Sequence, residues 1–142
     1  MIEALYKASQ AGVKIDLIIR GVCALRPGIP KVSENIRVRS VIGRFLEHTR
    51  IFHFRNGSEP HVYLSSADWM DRNFFRRIEL CFPLTDKKLR ARVVAEGLKS
   101  YLDDNTHAWD MQTDGTYTRR KRGKTKARSA QDELLAKLTA KS

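Results

Sequence analysis

Long apolar runs are missing from this 142-residue sequence, and the longest, residues 15–19, is interrupted by Asp16. A membrane-spanning helix needs roughly 20 apolar residues, so no span is expected. Residues 2–10 carry Glu3 and Lys7 and no extended apolar stretch, so no signal peptide is expected either. Cysteine is scarce. Cys23 and Cys81 stand far apart beside apolar neighbours, and read as two buried thiols in a reducing cytoplasm rather than as a disulfide. No Gly-x-x-x-x-Gly-Lys-Ser/Thr loop, Gly-x-Gly-x-x-Gly turn, Cys/His zinc spacing or Gly-x-Ser-x-Gly elbow occurs. Those absences set aside P-loop chemistry, dinucleotide binding, zinc sites and α/β-hydrolase acyl transfer.

Acidic residues are few as well: 16 Asp or Glu face 27 Lys or Arg, a net charge of +11. Such a balance attracts polyanions, and its distribution is uneven. Residues 117–142 hold nine Lys or Arg against Asp132 and Glu133, which is +7 of the +11. The run RRKR at 119–122, followed by Lys124, Lys126 and Arg128, has few apolar residues with which to join a core. It reads as a basic, flexible tail, either simply solvated or in contact with nucleic acid or polyphosphate through counterion release. Beyond it, Ala130, Leu134, Leu135 and Leu138 match one short amphipathic helix. The whole chain, 42% hydrophobic and 30% charged, has the composition of an ordinary soluble protein long enough for one core.

Residues 2–11 place Ala4, Leu5, Ala8 and Ala11 on one helical face, and Gly12 stands where a helix commonly stops. The run VKIDLII at 13–19 turns wholly apolar, as a strand buried on both faces does, and ends at Arg20 and Gly21. Residues 26–30, RPGIP, form a rigid loop because proline lacks the N–H and restricts its predecessor. Alternation predicts a second strand at 35–42, and strands at 51–54 and 62–64 flank the Asn56-Gly57 hairpin signal. A further strand is expected near 77–82. A long helix is expected over 86–102, with Leu89, Val93, Leu98 and Leu102 on one face and Asp86 as its cap. Helix, several strands, then helix is an α/β pattern.

Arg20 closes the first strand at the carboxyl end, where ligands bind in α/β sheets; its bland alternative is an ion pair with Asp16 or Glu47. A second constellation joins Gly43, Arg44, His48 and Arg50 to Ser65, Ser66 and Asp68 across the hairpin. Histidine can give a proton or hydrogen bond to phosphoryl oxygens, arginines offer forked donors, and a Ser-Ser-Ala turn is expected to expose backbone N–H groups. Taken alone, a histidine at a strand start is more often structural.

Three ordered motifs carry a resemblance: IIRGVCALRPG at 18–28, GRFLEH at 43–48 and YLSSADWMDRN at 63–73. Over residues 2–112 the chain resembles the C-terminal catalytic domain of bacterial polyphosphate kinase. The resemblance implies a phospholipase D-like mixed sheet flanked by helices over 1–112, with 113–142 as the basic tail. It implies ATP, with Mg2+, as phosphoryl donor and inorganic polyphosphate as acceptor, in a reversible transfer through a phosphohistidine carried by a missing upstream domain. Arg20 and His48 would contact the nucleotide phosphates, His48 as proton donor or electrostatic partner, with Arg44, Arg50, Ser65, Ser66 and Asp68 as further candidates and no metal ligand in this chain. Partners would be ADP, the upstream domains and a further copy of the chain, in the cytoplasm, and the fragment alone would be inactive.

Arg50 occupies the place of the lysine in the phospholipase D His-x-Lys pair, which favours a charged phosphate clamp over phosphodiester hydrolysis. The alternative from another class is a nucleic-acid-binding module resting on the basic tail. Less favoured is a phosphodiesterase half-site.

Overall fold

The structure of the protein is a computed structural model, described over residues 1–140. The α/β class holds, with the strands divided between a four-stranded and a three-stranded sheet. The described residues form two compact units, 1–46 with 100–140, and 47–99.

In the first unit, helix α1 (Ile2–Gln10) stops where Gly12 takes φ +85°, a conformation that lets the following Val13 N–H reach back to the Ala8 carbonyl at 3.0 Å. Its apolar face, Ile2, Leu5 and Tyr6, packs on buried Leu25, Ile36 and Val38. Strand β1 (Ile15–Ile18) pairs in parallel with β2 (Ile36–Val41), from Ile15↔Ile36 to Ile18↔Arg39. Strand β6 (Ala108–Met111) runs antiparallel to β2, and β7 (Tyr117–Arg119) antiparallel to β6, in the order β1-β2-β6-β7.

The most buried strand is the inner strand β2, with Ile36, Val38, Ser40 and Val41 buried and Arg37 exposed, whereas β1, expected to be buried on both faces, is a half-buried edge strand. Its exposed Asp16 takes a two-pronged ion pair from its register partner Arg37, at 2.7 and 3.0 Å. The RPGIP loop is rigid for more reasons than proline. The Ser33 hydroxyl donates to the Arg26 carbonyl and accepts from Ile29 N–H, and Gly28 sits at φ +72°.

The structure divides the chain otherwise than at residue 112. Residues 117–119 are the fourth strand of the first sheet, and helix α5 (Ala130–Thr139) begins at Ala130, 1% exposed. The reason is polar, which apolar patterning does not register. Asp104, 1% exposed, accepts the backbone N–H groups of Thr106 at 3.0 Å, His107 at 2.8 Å and Ala130 at 2.8 Å. Asn105 holds Lys126 O at 2.9 Å and Arg128 N at 2.8 Å. The expected free tail is thus fastened to the turn that follows helix α4 (Ser100–Asp103).

In the second unit, β3 (Ile51–Phe54), β4 (His61–Ser65) and β5 (Cys81–Pro83) form an antiparallel meander. Asn56 and Gly57 both adopt positive φ at the hairpin tip, as their pairing predicts. Pro83 is tolerated because β5 is an edge strand. Helix α2 (Asp71–Arg76) was not expected. Helix α3 (Lys87–Val93) is capped by Asp86, whose carboxylate accepts Leu89 N–H at 2.8 Å. It passes into a π-helical segment, Val94–Lys99, where Gly97 leaves room for the Ile51 side chain. Cys81 is exposed on its edge strand and Cys23 half-buried, so the expectation of two buried thiols is corrected; both are free.

Candidate functional site

Each unit presents its own group of candidate residues. In the first, the parallel pairing of β1 and β2 brings two loops to one end of the sheet. Arg20 stands two residues beyond Ile18, and Gly43 and Arg44 two and three beyond Val41. Ile19 N–H still donates to the Arg39 carbonyl at 2.8 Å, so the register holds up to Arg20. Arg20 and Arg44 are exposed there. Asp16 is held by Arg37. Arg39 is structural: it bonds Asp110 at 3.0 Å and the carbonyls of Tyr101 and Leu102.

The loop carrying Arg44 is held by a residue sequence reasoning missed. Gln131, 6% exposed on α5, clamps the backbone of Phe45, accepting its N–H and donating to its carbonyl, both at 2.8 Å. A Cβ on Gly43 would collide with that amide, so the glycine is required for close approach. Gly43 was the one signal that could have pointed to the clamp.

In the second unit, three expected residues, His48, Arg50 and Asp68, fall into one network. Arg50 donates through Nε to Asp68 at 3.0 Å and through Nη1 to the His48 carbonyl at 2.6 Å. The hydrogen bond from Asp68, with its charge, raises Arg50 further above its ordinary pKa, so the guanidinium is charged throughout the accessible range. His48 itself is exposed, on the coil before β3 rather than in the strand. Trp69 stacks on Phe52 of β3 with ring centres 5.1 Å apart, and buried Asn73, 4% exposed, donates to the Asp68 carbonyl at 3.0 Å. Asn73, part of the third motif but given no role from sequence, is therefore what shapes the turn holding Asp68.

The Ser-Ser-Ala turn departs from expectation. Its backbone N–H groups are spoken for: Ser65 N–H bonds Arg50 O and Ser66 N–H bonds Leu80 O, each at 3.0 Å, and Ala67 N–H bonds Ser65 Oγ at 3.1 Å. The Ser66 hydroxyl donates to Glu79 and accepts Leu80 N–H. The turn is a brace for the strand ends rather than a bare anion cradle, and Arg50 is likewise committed to its neighbours. Arg20 and Arg44 in one unit and His48 in the other are exposed. Among the described residues no group of three or more His, Cys, Asp or Glu could hold a metal ion, and no helix is long and apolar enough to cross a membrane.

Comparison with known proteins agrees with the three motifs. A family model described as polyphosphate kinase C-terminal domain 2 matches residues 1–131. The chain is 64% identical over 137 residues to a polyphosphate kinase of Burkholderia multivorans, covering 96% of this chain and 20% of that protein. It is 61% identical over the same length to one from Paraburkholderia phytofirmans, again 20% of that protein. A crystal structure of polyphosphate kinase from Porphyromonas gingivalis superposes on 99% of this chain with a TM-score of 0.91 at 41% identity, using 21% of its own length. The chain thus spans about a fifth of the length of the relatives it matches.

Proposed function

The chain belongs to the polyphosphate kinase C-terminal domain family, and we propose that it supplies part of the phosphate-binding surface of an ATP:polyphosphate phosphotransferase. In this reading MgATP is the donor and inorganic polyphosphate the acceptor, in reversible transfer. Arg20 binds nucleotide phosphate by a forked guanidinium contact, and Arg44 adds charge at the same end of the sheet. His48 gives a hydrogen bond or proton to a phosphoryl oxygen as charge moves between donor and acceptor. Arg50, Asp68 and Asn73 are positioning residues that fix the backbone from which His48 projects. The phosphorylated histidine is assigned to protein outside this chain, so the chain alone does not catalyse. A cytoplasmic setting suits the ATP substrate.

The observation that carries the reading is the strapping of His48: a strand-leading histidine whose carbonyl is held by an arginine that is itself fixed by a carboxylate. An exposed apolar series, Phe74, Phe75, Ile78, Leu80 and Phe82, supports a larger assembly, because free-standing domains rarely leave such a face to water. Calorimetric titration of the chain with MgATP and polyphosphate tests the reading. Wild type is expected to bind, and Arg20→Ala/His48→Ala to lose the nucleotide. Equal ATP binding by both proteins would remove these two residues from the site.

A further inference from the structure

The basic run that sequence reasoning set apart as a tail leaves the same end of the first sheet as Arg20 and Arg44. Register fixes this. Val41 at the end of β2 pairs with Ala108 at the start of β6, and Trp109 pairs with Arg119 at the end of β7. Arg120 N–H donates to the Ala108 carbonyl at 2.9 Å, and the Arg119 guanidinium reaches the Thr106 carbonyl, also at 2.9 Å. Arg20 therefore follows one edge strand, Arg44 an inner strand and residues 119–122 the other edge strand. Three strand spacings separate the two edges, about 14 Å.

Residues 119–128 contain seven Lys or Arg and no carboxylate. Arg120 lies 3.9 Å from Asp110, and Arg128 is paired with Asp103 at 3.0 Å and Glu133 at 3.5 Å. Lys121, Arg122, Lys124 and Lys126 are exposed and enter no ion pair among the described residues. Their backbone is nonetheless held. Thr125 Oγ1 bonds Arg122 O at 2.7 Å around Gly123 at φ +62°, and Asn105 fastens Lys126 and Arg128. Four uncompensated cations on a fastened loop repel one another, and an extended polyanion relieves that repulsion with little ordering of the backbone.

We infer that residues 121–126 form a distal track for the polyphosphate chain, which crosses the carboxyl end of the first sheet from Arg20 past Arg44 to this loop. The inference rests on the proposed function and extends it: affinity depends on chain length, because only a chain long enough to reach the loop gains its charges. Nucleic acid is the less fitting occupant, since no aromatic residue occurs between 118 and 129 on which a base could stack.

The test compares wild type with Lys121→Gln/Arg122→Gln/Lys124→Gln/Lys126→Gln for binding of tripolyphosphate, long-chain polyphosphate and single-stranded DNA at several salt concentrations. The four side chains are exposed, and circular dichroism checks that the fold is kept. Tripolyphosphate affinity is expected to stay unchanged, while long-chain affinity falls at least about tenfold. The slope of log affinity against log salt should flatten by about 3, at roughly 0.7 per phosphate contact as for single-stranded nucleic acids. Long-chain binding equal to wild type would overturn the track and leave the proposed function standing. Wild type that binds neither polyphosphate would instead sink the proposed function itself. Loss of DNA binding with long-chain polyphosphate binding intact would assign the loop to nucleic acid and overturn the inference.

Discussion

A single guanidinium governs how His48 leaves the chain. Arg50 holds the His48 carbonyl and the Asp68 carboxylate at once, two contacts from separate nitrogens of one planar group. Lysine has one ammonium on a flexible stem and cannot keep both. Arg50→Lys is therefore expected to lower stability by about 1–2 kcal/mol, discounted for the partial exposure of the pair, as read by urea denaturation; an unchanged midpoint would deny the strap. Gly43 makes a sharper case. Gly43→Ala drives a methyl into the Gln131 amide, and is expected to cost about 1–3 kcal/mol through overpacking and two strained hydrogen bonds. Gln131→Ala in the Gly43→Ala background should cost little more, so a double-mutant cycle detects the coupling. Motif spacing made Arg20, His48 and Arg50 legible as candidates. It could not show that Ser65 and Ser66 spend their N–H groups internally, because their partners, Arg50 O and Leu80 O, are backbone atoms distant in sequence.

At the scale of elements, periodicity recovered α1, β2, β3, β4, the Asp86 cap and α5, all of which carry repeated apolar positions. It missed α2, whose six residues are too few to display a helical period, and both β6 and β7, strands of four and three residues too short to display alternation. It also treated residues 86–102 as one helix, where the structure inserts a π-helical segment at Gly97 packed against Ile51. The largest miss, the tail, has one physical cause: Asp104 and Asn105 bind it through backbone groups, which hydrophobic patterning ignores. Asp104→Asn replaces one carboxylate oxygen by an NH2 that must face a backbone N–H. The change is expected to cost about 2–3 kcal/mol and to release the start of α5. Limited trypsin digestion should then cut within residues 119–128 several-fold faster than in wild type. Equal cutting rates would mean that the buried carboxylate does not hold the segment.

At the scale of the molecule, the net charge of +11 is unevenly placed: Lys121, Arg122, Lys124 and Lys126 are exposed beyond the end of β7, while Arg37, Arg39 and Arg50 are absorbed in structural pairs. The family likeness covers this whole chain but a fifth of the relatives, so the catalytic claim belongs to an assembled enzyme. The most direct measurement is ATP-dependent polyphosphate synthesis by the Burkholderia multivorans enzyme with its 137 matched residues exchanged for this chain. Synthesis is expected to survive the exchange and to fall by two orders of magnitude or more, roughly, on His48→Ala. A soluble, folded hybrid without synthesis, or one whose synthesis is indifferent to His48→Ala, would contradict the account.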